Sequence, residues 1–430
     1  MNIHISPTPR FGGTIDAVAS KSFAHRLLIC AAFSDRNTFV RCQEKNNDIR
    51  ATVSCLSMLG ASFVETDEGY EVTPLKAAIE NAVLDCSESG TTYRFMLSIV
   101  SCLGISASLV GHGRLPSRPL SPLYETLSQN GVSLAPHGSN PLTVSGCLSG
   151  TQFSFPGNVS SQYASGLLLA FPLLASRENA PVSLTLTEKI ESLPYLDMTV
   201  RAMSAFGVSV EHRFLPDGSL CFTVAPQAYR SVGEVSVEGD YSGAAFFLAA
   251  GAIGTAPVTV RNLDPASLQG DREILSLLSA FGASVKHTEN GICVSPSVLN
   301  GITIDAAQIP DLVPILAVVA AGAHGETRII NAGRLRYKES DRLETVHRFL
   351  KGLGGCIEEG EDFLVIHGNG SLRGGTVSAE KDHRIAMSAA IASLISKEPV
   401  TILGAECTEK SYTRFFQDAD VLGFDVAECP

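Results

Sequence analysis

Six glycines at near-regular intervals constrain the fold of this chain more than any other feature. An apolar, helix-like stretch ends in Gly, and a small or apolar residue then opens an alternating strand. The pattern stands at Leu56-Ser57-Met58-Leu59-Gly60, Leu127-Ser128-Gln129-Asn130-Gly131, Met203-Ser204-Ala205-Phe206-Gly207, Leu278-Ser279-Ala280-Phe281-Gly282 and Leu350-Lys351-Gly352-Leu353-Gly354, and less completely at Asp420-Val421-Leu422-Gly423. Successive glycines are 71, 76, 75, 72 and 69 residues apart. Each suits the left-handed position that closes a helix, which a residue without Cβ adopts at little cost. A turn and a second strand follow, at residues 70–74, 142–144, 221–224, 292–296 and 363–366. Five good copies make coincidence a poor explanation. A unit of roughly 70 residues is too long for a solenoid repeat and fits a small layer of two helices and about four strands.

The sixth unit reaches Pro430 before its second strand. Ile3-His4-Ile5-Ser6-Pro7 alternates and ends like Ile292-Cys293-Val294-Ser295-Pro296, so the N-terminus is expected to supply the missing strand. The first strand then belongs with the C-terminal half, and the chain crosses twice between domains, near residues 10–20 and 225–238. The expected division is residues 14–226 for one three-repeat domain, and residues 1–13 with 227–430 for the other. Such a double crossover makes a hinge, and ligands favour the cleft between hinged domains.

Composition agrees with two well-buried domains: 430 residues, 45% apolar, 20 Phe and no Trp. Eleven cysteines lie singly, without metal-ligand or CxxC spacing, which reads as reduced thiols in a cytoplasmic protein. No basic stretch followed by an apolar one marks a secretory signal. The longest apolar runs, near residues 167–175 and 312–321, are about half the length that spans a bilayer and read as buried helices. A formal charge of −12 argues against general nucleic-acid binding. An anionic ligand therefore needs a local basic cluster.

Several segments could form one. Lys21 and Ser22, with Arg26 about a turn and a half further on, fall at an expected helix start, where free N–H groups favour an anion. Gly90 opens another helix between Ser89 and Thr91, and Arg114 and Arg118 lie in a Gly- and Pro-rich loop. Ser160, Ser161 and Gln162 precede an apolar helix and form a neutral anion cradle. Ser192 and Tyr195 flank Pro194 at a further helix start. In the C-terminal half, Asp311 enters the apolar run. Arg334, Arg336, Lys338 and Arg342, with Glu339 and Asp341, crowd nine residues. On a helix Lys338 and Arg342 share a face, with Glu339 projecting differently. Arginine suits bidentate anion recognition, and a Lys/Glu pair beside it can move protons. Asp382-His383-Arg384 opens a small-residue helix, which favours Arg384 reaching a ligand, and Lys410 stands at another expected helix start. Caps and solvated salt bridges account for each segment taken singly.

In this order the motifs resemble the 5-enolpyruvylshikimate-3-phosphate synthase family over essentially the whole chain. The resemblance rests on Ser20-Lys21-Ser22 with Arg26, Ser89-Gly90-Thr91, Arg118-Pro119 and the run from Gly157 to Gln162. It extends through Pro194-Tyr195, Gly239-Asp240-Tyr241-Ser242, Gln269-Gly270-Asp271, Lys338-Glu339-Ser340-Asp341-Arg342, Asp382-His383-Arg384 and Lys410. It implies an α+β fold, an α/β prism of two similar domains, each of three βαβαββ-like units. It further implies enolpyruvyl transfer from phosphoenolpyruvate to the 5-hydroxyl of shikimate 3-phosphate, with loss of phosphate. By the same likeness Lys21, Gly90, Arg118, Gln162, Arg342, Arg384 and Lys410 hold phosphoenolpyruvate. Lys21, Ser22, Arg26, Ser160, Ser161, Gln162, Ser192, Tyr195, Asp311 and Lys338 hold shikimate 3-phosphate. Asp311 and Glu339 are the proton-transfer candidates, Lys21 assists the phosphate and Lys338 relays protons. No metal or redox cofactor, nucleic acid or membrane is implied, and a monomer is expected.

The resemblance includes departures from the common pattern at His25, Glu88, Leu193 and Arg334. A related transferase acting on UDP-N-acetylglucosamine usually carries a Cys before its Arg-Pro pair, and the loop Arg114-Leu115-Pro116-Ser117-Arg118 has none. RNA 3′-phosphate cyclases would need a nucleotide-accepting His and a more basic surface. A catalytically dead anion-binding module would have less reason to keep both Asp311 and Glu339.

Overall fold

In the computed structural model, which describes residues 1–8 and 11–429, all six repeat glycines have positive φ, from 76° at Gly207 to 114° at Gly60 and Gly282. Each ends a helix in a conformation that a Cβ would strain, and this is what makes the spacing visible in the sequence.

The described residues form six four-stranded sheets. In the sheet built from Ala82–Asp85, Ala107–Val110, Val132–Leu134 and Leu142–Gly146, the first two strands are parallel. The helix Gly90–Leu103 joins them, and the fourth strand lies antiparallel between the second and the third. Gln152–Pro156, Val182–Thr187, Glu211–Phe214 and Leu220–Val224 pair in the same order and senses, as do Thr303–Asp305, His324–Ile330, Cys356–Glu359 and Leu364–Asn369.

In the other three sheets one strand comes from a distant part of the chain. Asn2–Ser6 lies antiparallel between Val400–Leu403 and Asp425–Cys429 and fills the fourth place of the last sheet. Gly13–Asp16 runs parallel to Val258–Arg261, and Glu234–Ser236 runs parallel to Thr38–Arg41. These last two strands exchange the helices that follow them. Gly13–Asp16 leads into the helix Lys21–Ala32 of one compact unit, and Glu234–Ser236 leads into Tyr241–Ile253 of the other.

The units are Met1–Ser20 with Glu238–Pro430, and Lys21–Val237. The crossings therefore fall after Ser20 and Val237, later than the expected boundaries after residues 13 and 226. The reason is pairing: residues 13–16 are committed to one sheet and residues 234–236 to the other, and neither strand can change partners without losing its ladder. Where the chain leaves the first unit, Ala19 bridges Gly239, and Ser20 N–H donates to the Glu238 carbonyl at 2.8 Å.

Within the units, helices such as Lys21–Ala32 and Val313–Gly322 are buried on nearly all faces, as a helix surrounded by protein is. Ala24 and residues 27–32 of Lys21–Ala32 are at most 1% exposed, as are residues 315–320 of Val313–Gly322. The sheets alternate buried and half-buried residues, as in Val182–Thr187, and turn one face toward these helices. The result is a mixed α and β protein whose buried helices are covered by largely antiparallel sheets. No helix among the described residues is long and apolar enough to cross a membrane.

Ile5 is fully buried on the N-terminal strand. Ile5→Ala is expected to destabilise its unit by ~3 kcal/mol, read as a lower urea midpoint. An unchanged midpoint would overturn the pairing of the N-terminus with the last sheet.

Candidate functional site

Each sheet contains one parallel strand pair, and the candidate residues follow the carboxyl ends of those strands. Gly90 follows Ala82–Asp85, Arg118 follows Ala107–Val110, Ser161 follows Gln152–Pro156 and Ser192 follows Val182–Thr187. Asp311 follows Thr303–Asp305, the segment 334–342 follows His324–Ile330, Arg384 follows Gly375–Ser378 and Lys410 follows Val400–Leu403. Parallel strands joined through helices place all these connections at one edge of each sheet. Helix N-termini there offer unpaired N–H groups and a positive dipole end.

In the unit Glu238–Pro430 the cluster centres on Arg342, the first residue of the helix Arg342–Gly352, whose side chain is 1% exposed. Its Nη1 donates to Asp311 Oδ1 at 2.7 Å, its Nη2 to Glu339 Oε2 at 2.7 Å, and its Nε to Asp382 Oδ2 at 2.8 Å. Burial works against this charge, but Asp382, Glu339 and Asp311 outweigh it and push the pKa up. Asp311 also faces Lys338 Nζ at 3.3 Å and Arg384 Nη2 at 3.4 Å. Burial alone would raise its pKa. Arg384, Lys338 and Arg342 instead hold it well below the usual carboxylate range, against Glu339. Burial lowers the pKa of Lys338, Asp311 and Glu339 oppose the shift, and Arg342 and Arg334 add to it. Asp382 caps the helix His383–Ala392 by accepting from Arg384 N–H and also accepts from Ser340 Oγ. Lys410 is buried, and both it and Asp382 act on the Cys407 thiol, whose pKa burial pushes up to about 12.

In the unit Lys21–Val237, Lys21 opens its helix and pairs with Asp48 at 2.9 Å. A second group surrounds Gly90, where an added Cβ would lie 2.6 Å from Arg94 Nη1 and 2.9 Å from Arg118 Nη1. Arg94 donates to Gln162 Oε1 at 2.9 Å, and Gln162 Nε2 donates to Thr91 Oγ1 at 2.9 Å. The Arg94 guanidinium stands 5.6 Å from the Tyr163 ring centroid. These contacts place Gly90, Arg118 and Gln162 together around Arg94. Arg26 is buried, and its nitrogens donate to Thr199 Oγ1, Ser165 Oγ and the carbonyls of Ser22 and Tyr195. Burial lowers its pKa to about 10. Ser160 caps the helix Ser161–Glu178 through Gln162 N–H, and Ser192 is held at φ 56°. His25 is buried against Thr52 at 2.7 Å, and burial pushes its pKa down to about 3, so it stays neutral.

Three local expectations change. Lys338 and Arg342 do not share a helical face: Lys338 follows the 3-10 turn Gly333–Tyr337, and the helix starts only at Arg342. Asp341 is the cap of that helix, accepting from Glu344 N–H, and a cap takes extended backbone angles that break the run of charges into loop and helix. Glu339 consequently turns toward Arg342 instead of away from it. Lys410 closes the 3-10 turn Ala405–Lys410 and does not begin a helix. The sequence reading also passed over Arg94, Asp48, Asp382 and Asp271 as site groups. For Arg94 and Asp382 the signal is charge inside an apolar helix or soon after a strand, where a solvated side chain is not expected; Asp48 and Asp271 carry no such mark.

Buried cations gathered with carboxylates at the ends of parallel strands define a class of protein that binds small polyanions and can move protons beside them. The family model for EPSP synthase (3-phosphoshikimate 1-carboxyvinyltransferase) matches residues 5–419. The 3-phosphoshikimate 1-carboxyvinyltransferase of Clostridium kluyveri is 38% identical over 99% of this chain and 98% of the relative, and that of Clostridium perfringens is 39% identical over 97% of each. Two solved structures of EPSP synthase from Acinetobacter baumannii superpose with TM-scores of 0.80 and 0.81 at 26% and 25% identity, covering 99% and 100% of this chain and 100% of each of theirs. The chain belongs to the EPSP synthase family.

Asp382 is fully buried against Arg342. Removing one partner strands the other charge, so Asp382→Ala is expected to cost about 3–5 kcal/mol of stability. A urea midpoint within error of the parent would refute that dependence.

Proposed function

We propose that the chain performs the reaction its family is named for, with the clusters above dividing the work. The enolpyruvyl group of phosphoenolpyruvate passes to the 5-hydroxyl of shikimate 3-phosphate, and inorganic phosphate is released. The observation that carries the assignment of roles is the Arg342 guanidinium, with Asp311 and Glu339 each 2.7 Å from it. One buried cation thus aligns two carboxylates side by side.

Addition forms a bond from the substrate's O5 to the central enol carbon, while a proton is delivered to the terminal CH2. Phosphate then leaves the tetrahedral intermediate as the methyl group returns a proton. Asp311, held ionised, takes up the hydroxyl proton, and Glu339 serves the methylene carbon. Lys338 keeps 26% of its side-chain exposure, and its lowered pKa eases relay of a proton between them. Arg342, Arg384, Lys410, Arg118, Lys21, Gly90 and Gln162 hold phosphoenolpyruvate. Lys21, Ser22, Arg26, Ser160, Ser161, Gln162, Ser192, Tyr195, Asp311 and Lys338 hold shikimate 3-phosphate. Arg26 reaches it by giving up one of its hydroxyl partners. Lys21 assists the departing phosphate by shifting from Asp48.

The finer architecture belongs to the same reading. The six sheets are copies of one βαβαββ unit, three to a prism-like domain, and the enzyme works as a cytoplasmic monomer.

Purified protein is expected to release inorganic phosphate only when phosphoenolpyruvate and shikimate 3-phosphate are both present; a folded preparation without release would sink the reading. Gly90→Ala should push Arg94 and Arg118 from their places. The expected result is a KM for phosphoenolpyruvate raised roughly tenfold, or ~1.4 kcal/mol, with glyphosate inhibition weakened as well. Unaltered constants would reject the steric role of Gly90.

A further inference from the structure

Arg26 is a buried cation like Arg342, yet its surroundings are of another kind. Three carboxylates accept from Arg342, whereas no carboxylate among the described residues pairs with Arg26. Four neutral oxygens take its N–H groups instead. Nε donates to Thr199 Oγ1 at 2.8 Å and Nη1 to the Ser22 carbonyl at 2.6 Å. Nη2 donates to Ser165 Oγ at 3.2 Å and to the Tyr195 carbonyl at 3.1 Å. The guanidinium carbon stands 5.2 Å from the Phe95 ring centroid. Burying a charge without a counter-charge is costly, which shows in a pKa lowered at Arg26 but raised at Arg342. Such a cage orients the guanidinium without neutralising it.

The two hydroxyls of the cage differ in what they can do. Nε and Nη2 form a fork of the kind that grips a carboxylate with two parallel bonds. Here it holds Thr199 and Ser165, whose oxygens are 2.8 Å apart, a neutral pair in a carboxylate's place. Each hydroxyl has one proton and two lone pairs. Thr199, on the helix Leu193–Ala205, can direct its proton to Ser165 Oγ or to the Tyr195 carbonyl, both at 2.8 Å. Either choice leaves a lone pair for Nε. The carbonyl is four residues back, the bond that fixes a helical threonine's oxygen in place. Ser165 accepts from Arg26 over the longer distance, and no group among the described residues accepts its own O–H. If Ser165 turns away, the Thr199 proton still has the Tyr195 carbonyl. We propose that Thr199 is a positioning residue for the shikimate substrate: it keeps Nε in place while Ser165 yields its position on Nη2 to the arriving anion. The inference rests on the reading that Arg26 holds shikimate 3-phosphate.

The test compares Thr199→Val, which keeps the shape and loses the hydroxyl, with Thr199→Ser, Ser165→Ala and Arg26→Lys. Calorimetry reads the Kd for shikimate 3-phosphate, and steady-state assays read kcat and both KM values. Thr199→Val should weaken shikimate 3-phosphate binding on the order of tenfold, the scale of a hydrogen bond to a charged group. The KM for phosphoenolpyruvate should stay within about twofold on the same scale. Thr199→Ser keeps the acceptor and should recover most of the loss. Ser165→Ala removes the group that yields, so binding should stay within about twofold of the parent or tighten. A role in packing alone would not separate the two hydroxyls or the two substrates in this way. A loss in Ser165→Ala as large as that expected of Thr199→Val overturns the proposal, as does a valine-like loss in Thr199→Ser. These two variants decide the matter should Thr199→Val not fold. Unchanged binding in Thr199→Val with weakened binding in Arg26→Lys overturns it too, as does an equal rise in both KM values. Unchanged binding in Arg26→Lys instead sinks the underlying assignment of Arg26.

Discussion

The Arg342 guanidinium is nearly sealed from solvent, and the arrangement of its unit's site follows from that burial. An isolated charge there would cost far more than a domain's net stability, so its five N–H donors must meet acceptors. Asp382, Glu339 and Asp311 accept four hydrogen bonds from it, from three different connections between strand and helix. One side chain thereby fixes the relative placement of the helix Arg342–Gly352, the cap of His383–Ala392 and the turn Pro310–Leu312. Arg384 and Lys338, with the same Arg342 contact that positions it, hold the Asp311 carboxylate ionised. Stability and the protonation state of a candidate acid–base group have a common origin.

Those connections can meet because of the sheet topology. A parallel pair needs a helical crossover, so both of its strands end at the same edge, and the segments after them emerge there. Each sheet contributes two such segments, and the turn between its two hairpin strands lies at the same edge, as where Gly111 N–H donates to Asn140 Oδ1 at 3.0 Å. The strand exchange of Gly13–Asp16 and Glu234–Ser236 preserves the rule. Lys21 and Ser242 still come just after the carboxyl end of a parallel strand, although the helix each opens belongs to the other compact unit.

The fold was more legible in the sequence than the site. Six glycines that must take positive φ leave a periodic mark that side-chain variation elsewhere does not erase. The likeness of Ile3–Pro7 to the later hairpin strands pointed to the sheet that Asn2–Ser6 joins. Exact crossing points were hidden because strand partners hundreds of residues away decide them, and alternation alone does not name a partner. At the site, residue types were readable but directions were not. The i, i+4 spacing of Lys338 and Arg342 predicts one helical face, whereas the capping preference of Asp341 divides the run and turns Glu339 inward. Arg94 was obscured for a related reason: it lies within an apolar helical stretch, where its only visible mark is an unexplained charge. The packing of Tyr163 and Gln162 against it depends on a helix about seventy residues away in the chain.

The charge balance of the molecule is consistent with its anionic substrates once local and global fields are separated. At a net charge of −12 the surface as a whole repels polyanions. That repulsion acts through water and is screened over roughly 10 Å at 0.1 M salt. The candidate cations are mostly buried, several are paired with carboxylates, and they lie beside helix N-termini, where screening is weak. A pair such as Lys21–Asp48 holds its ammonium in place before substrate arrives. An arriving phosphate then competes with a carboxylate already in position, so part of its attraction is spent on displacing that partner. The preorganisation that holds the cations ready thus also sets an upper bound on ground-state affinity. Interaction that strengthens as charge develops on the reacting groups is the kind that accelerates turnover.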